Sequence, residues 1–87
     1  MSVVKSRKAA MTAAARAGGT FVETRAGCVP LKDFPRMVRG KLSQPIAEWH
    51  FNNYGSDSDI FGIGSLQLIN RRRGTILIAT VHRKCPR

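Results

Sequence analysis

Glu48, His50 and His82 are the residues of this chain whose types could do acid–base chemistry. Glu48 and His50 stand two apart, so a β-strand would put them on one face, and His82 is followed by Arg83 and Lys84. A carboxylate base, an imidazole acid and a guanidinium that holds phosphate are what attack of a ribose 2′-hydroxyl on the adjacent phosphorus requires. The second chemical feature is the run Arg71, Arg72 and Arg73 before Gly74. Three adjacent guanidiniums repel one another unless an anion bridges them, and a phosphate backbone supplies such anions. Lys5, Lys8 and Arg16 fall on one face of an N-terminal helix, and Arg83, Lys84 and Arg87 form a basic tail. Tyr54, at the start of a polar loop, is the aromatic best placed to stack on a base.

These residues sit in an 87-residue chain with 15 Lys and Arg against 5 Asp and Glu, a formal charge of +10. The length fits one domain, residues 1–87, with a single small core. Residues 42–70 hold no Lys or Arg, so two basic ends flank an acidic middle. Ten of the 15 cations are arginine, the residue suited to phosphate forks and base stacking. A positive field of this size attracts polyanions. The charge points to nucleic acid or a nucleoprotein complex as partner, with an acidic protein as the alternative. No apolar run approaches the ~20 residues of a membrane span. No signal-peptide pattern precedes the first helix either, so the expected place is the cytoplasm and no membrane partner is expected.

The two cysteines, Cys28 and Cys85, form no C-x-x-C pair. With only two histidines besides, no metal site and no cofactor are expected. Gly62-Ile63-Gly64 lacks the rest of a dinucleotide fingerprint and no Walker lysine follows it.

The elements that must position these groups read as α-β-α-β-β-β, a small α+β domain. Ser2 as N-cap and the Gly18-Gly19 stop bound a basic, alanine-rich helix over 3–17. A short β-branched strand over 20–25 follows, punctuated by Gly27 and Pro30. A second helix at about 34–42 starts from Asp33, with Arg36 and Arg39 pointing outward. The sheet occupies about 46–83. Within it 46–54 alternates with Trp49 and Phe51 on the core side, and 60–70 pairs with 75–82 as a hairpin closed by the arginine turn. The two hairpin strands are apolar on both faces, which predicts a central position covered by the helices on at least one side. An exposed hairpin edge would also allow a homodimer. The arginine tip and the tail at 83–87 would lie about 20–25 Å apart, a span suited to a phosphate-tracking strip.

A helical N-terminus leading into an antiparallel sheet in a small basic chain resembles the barnase and RelE-type ribonucleases in architecture. That resemblance implies ribonuclease activity, for which Glu48, His50 and His82 are the candidate catalytic residues. The size of the chain and its single domain also resemble phage-encoded inhibitors of host machinery, including anti-CRISPR proteins, and imply a protein or ribonucleoprotein target. The first expectation is nonetheless a non-enzymatic protein that binds nucleic acid through its arginine and lysine face.

Overall fold

The computed structural model describes residues 6–55 and 61–85. Helix α1 (Arg7–Arg16) is followed by strands β1 (Phe21–Thr24) and β2 (Gly27–Pro30), helix α2 (Phe34–Lys41), and strands β3 (Glu48–Asn53), β4 (Gly64–Asn70) and β5 (Gly74–His82). The strands form one antiparallel sheet in the order β2-β1-β5-β4-β3. The expected α+β domain, with its two helices and C-terminal hairpin, is therefore present.

Ser6 caps α1, its hydroxyl accepting from the Ala9 N–H at 3.1 Å. Ser2, expected in that role, lies outside the described residues, as do Lys5 and Arg87. Asp33 stands at the N-cap of α2 but makes no side-chain cap bond. A single 3-10 turn at Leu31–Asp33 leads into the helix instead, with the Phe34 N–H donating to the Leu31 carbonyl. Pro35 lies in the first turn of α2, where a missing N–H costs no helix bond. Strand β2 is an addition to the expected order. Gly27 and Pro30 punctuate the chain in sequence, yet 27–30 folds back on β1. The Thr24 hydroxyl shapes that reversal, donating to the Gly27 carbonyl and accepting from the Ala26 N–H.

The core lies on one face of the sheet. Val22, Trp49, Leu66, Leu68, Ala79 and Val81 are buried there beneath Ala10 and Ala14 of α1 and Phe34 and Val38 of α2. Register sets this face, because Trp49 pairs with Leu68, Leu68 with Leu77, and Val22 with Val81. Phe34 meets Trp49 edge-on, with ring centroids 6.1 Å apart and planes at 86°. Alanines under α1 let that helix approach closely, while large side chains under α2 fill the remaining depth.

The expected hairpin is present, with its first strand starting at Gly64 and a register shift between Leu68 and Ile69. Asn70 pairs with Gly74 across three arginines, and Gly74 has φ +78°, the left-handed conformation such a loop needs. The Asn70 Oδ1 accepts from the N–H groups of Arg72 and Arg73 at 2.8 and 3.1 Å, a side-chain turn that rigidifies the loop. Gly62, with φ +91°, packs against β5 so tightly that a Cβ there would collide with Thr80 Cγ2. No helix of the described residues is long and apolar enough to cross a membrane.

Candidate nucleic-acid interface

The histidines and glutamates share the face of the sheet opposite the helices. His50 Nε2 lies 2.8 Å from Glu48 Oε1, and His82 Nε2 lies 2.9 Å from Glu23 Oε1. Each imidazole thus has its own carboxylate. His50 is level with Ile78 through Gln67, two strands away, and His82 lies four residues further along β5. Ladder spacings place the two backbone positions about 16 Å apart. One nucleotide linkage cannot span both pairs. His82 is 1% exposed, which withdraws it further from a substrate. Among the described residues, no group of three or more His, Cys, Asp and Glu is placed to hold a metal ion.

The expected basic residues separate into two ends. Arg71, Arg72 and Arg73 are exposed at the hairpin tip. Arg83 and Lys84 are exposed beyond the other end of β5, a nine-residue strand, so about 30 Å separates tip from tail. Arg83 lies against Gly18, just past the C-terminal end of α1. Lys8 and Arg16 do share a face of α1, where with Thr12 and Asn53 they line a shallow groove beside β3. Tyr54 is 47% exposed at the end of β3, and Phe61 is 84% exposed.

A denser cluster lies elsewhere, between the outer surfaces of the two helices. Arg7 and Lys8 of α1, Lys32 of the 3-10 turn, and Arg36 and Arg39 of α2 line one groove of about 570 Å³. No acidic residue lines it. Arg7, Lys8 and Arg39 also line the adjoining hollow, which continues past Gln44 to Pro45 and Ile46. The Asn70 side chain donates to the Pro45 carbonyl at 3.1 Å, tying the base of the arginine turn to this end of the strip. Gln44 Oε1 is buried there without a hydrogen-bond partner, a polar atom the fold itself leaves unsatisfied. The strip runs from Lys32 through the helix pair toward the arginine tip.

Of these cations, Lys8 is among those expected on the basic face of α1, and Arg36 and Arg39 point outward from α2 as their spacing predicts, whereas Lys32 precedes the helix in the 3-10 turn. The meeting of Lys32, Arg36 and Arg39 with Arg7 and Lys8 depends on how α1 packs beside α2, which no local spacing encodes. No protein family, curated protein or solved structure matches this chain.

Proposed function

We propose that this protein binds nucleic acid by its phosphate backbone, along the strip from Lys32 to the arginine tip. The observation that supports this reading is the convergence of Arg7, Lys8, Lys32, Arg36 and Arg39 on one groove without an acid among them. Holding five like charges together costs free energy in the unliganded protein. Phosphates entering the groove remove that cost and release their own counterions. Guanidiniums at spaced positions on two helices fit a repeating anion better than a single small one. The reading predicts contact without base sequence preference, because base-edge contacts and not phosphate contacts carry sequence information.

Amide shift mapping with a 20-base-pair DNA duplex and with a single-stranded RNA of the same length tests the location. Perturbations are expected at residues 7–8, 32–39 and 71–73. Perturbations confined to the open face around Glu48 and His50 would sink the proposal and favour a site there.

A further inference from the structure

β5 is a central strand over only part of its length. Strand β1 pairs with it at Phe21, Val22 and Glu23, opposite His82, Val81 and Thr80, and then turns away into β2. On that side, the stretch from Gly74 to Ala79 has no strand beside it among the described residues. The phase of the ladder fixes which backbone groups are left open. The Tyr54 N–H donates to the Ile63 carbonyl, so the facing pairs at Asn52 with Ser65 and His50 with Gln67 are hydrogen-bonded ones. Gln67 therefore turns its N–H and C=O toward β3, and its partner Ile78 turns its own toward the open side. Ile78 is 59% exposed, beside an N–H and a C=O that no described backbone group meets.

A groove of about 640 Å³ runs along this open half-edge. Leu77 and Ala79 line it from the helix-covered face, and Met37, Val38 and Leu42 from α2 and its C-cap. Its rim carries Arg25 at the β1–β2 turn and Lys41 on α2, with Glu23 the single acid. The arginine run 71–73 leads directly into the same strand.

We propose that this half-edge is a strand-addition site for an extended, acidic polypeptide segment of a partner protein, apolar at alternate positions. An open strand edge is satisfied by a strand, because only an extended backbone offers donors and acceptors at the matching repeat. Side chains at alternate positions of that strand would enter the apolar groove against α2, the side-chain specificity such sites use. The groove's rim sets the charge of the occupant. A second copy would bring another +10 to the same place, so self-pairing is opposed by charge where an acidic segment is drawn in. The open stretch of six residues, about 20 Å, sets the length of the segment.

The probe is an acetylated, amidated peptide Asp-Val-Glu-Ile-Asp-Val-Glu, with Lys-Val-Lys-Ile-Lys-Val-Lys as its charge-reversed control, titrated into the isotope-labelled full chain. The expected result is amide shifts at 75–79, slowed exchange of the Ile78 amide, and at least tenfold weaker binding of the control. Ile78→Pro removes the outward N–H without breaking a bond to β4, and is expected to weaken the acidic peptide at least tenfold. Ile78→Ala keeps that N–H and is expected to stay within about threefold of the parent, since the main chain carries the contact. Should the proline variant fail to fold, exchange protection of Ile78 in the parent chain decides alone. Shifts confined to Arg36 and Arg39, or equal binding of both peptides, would overturn the proposal. So would a peptide-free dimer formed through the same amides, which would assign the edge to a second copy.

Discussion

Replacing Arg36 and Arg39 together by alanine tests the basic strip through a number, the slope of log binding constant against log salt. Each phosphate neutralised on duplex DNA contributes about −0.9 to that slope. Five cations line the groove between the helices, so full engagement gives a slope of about −4.5, steeper if the arginine tip joins. Raising salt from about 50 to 200 mM then weakens binding about 500-fold. Losing two contacts brings the slope to about −2.7 and the same salt step to about 40-fold. Both side chains are exposed on the outer face of α2, away from Phe34 and Val38, so the fold is expected to survive their truncation. Fluorescence anisotropy of a labelled 20-base-pair duplex at four or five salt concentrations reads the slopes directly. Lys84→Ser, beyond the far end of β5, serves as the control and should leave the slope unchanged. A parent slope shallower than about −2, or a double variant with the parent's slope, would refute the reasoning. Charge would then act as a diffuse field and not through these contacts.

The packing carries its own tests. Phe34→Ala empties the space over Trp49 and is expected to destabilise the fold by about 3–5 kcal/mol, read from the urea midpoint. An unchanged midpoint would mean that α2 does not hold the core. Gly62→Ala forces a side chain into Thr80 at a left-handed backbone position, and should cost about 1–3 kcal/mol by the same measurement. Ser6→Ala removes the α1 cap and should cost about 1 kcal/mol, with amide exchange quickening first at Ala9.

The hairpin was legible because every local signal agreed. Asn70, the three arginines and Gly74 suit a tight loop, and the apolar runs on both sides demand a covered sheet position. Trp49 and Phe51 were legible for the same reason, since period-two alternation identifies the face that burial then uses: Trp49 is buried and Phe51 partly so. Strand β2 was not, because four residues bounded by Gly27 and Pro30 carry no alternation, and turn residues mask a strand that short. Its place depends on β1, and β1 on β5, a pairing some sixty residues apart in sequence. Consecutive arginines catch the eye in a sequence, whereas the denser cluster draws on residues 7–8 and 32–39 and exists only after the helices pack. The histidines illustrate the converse. Glu48 and His50 do share a strand face, as their spacing requires, but His82 is drawn to Glu23, a partner brought close by the β1–β5 pairing alone.

Helix α2 explains how so short a chain can carry two different surfaces. Six of its eight residues are divided among three duties. Phe34 and Val38 enter the core, Arg36 and Arg39 face α1 across the basic groove, and Met37 and Lys41 wall the groove along β5. The two surfaces therefore differ in what holds a partner. The groove toward α1 offers five cations and no acid, and the β5 edge offers open backbone and apolar wall with charge only at its rim. With a polyanion in the first and an extended chain in the second, strong salt is expected to separate them, stripping the first and leaving most of the second. The route for any coupling between the two is the seating of α2 through Phe34 on Trp49, because that helix is the wall they share. By linkage, whatever factor a ligand in one groove applied to affinity in the other, the second ligand would apply to the first.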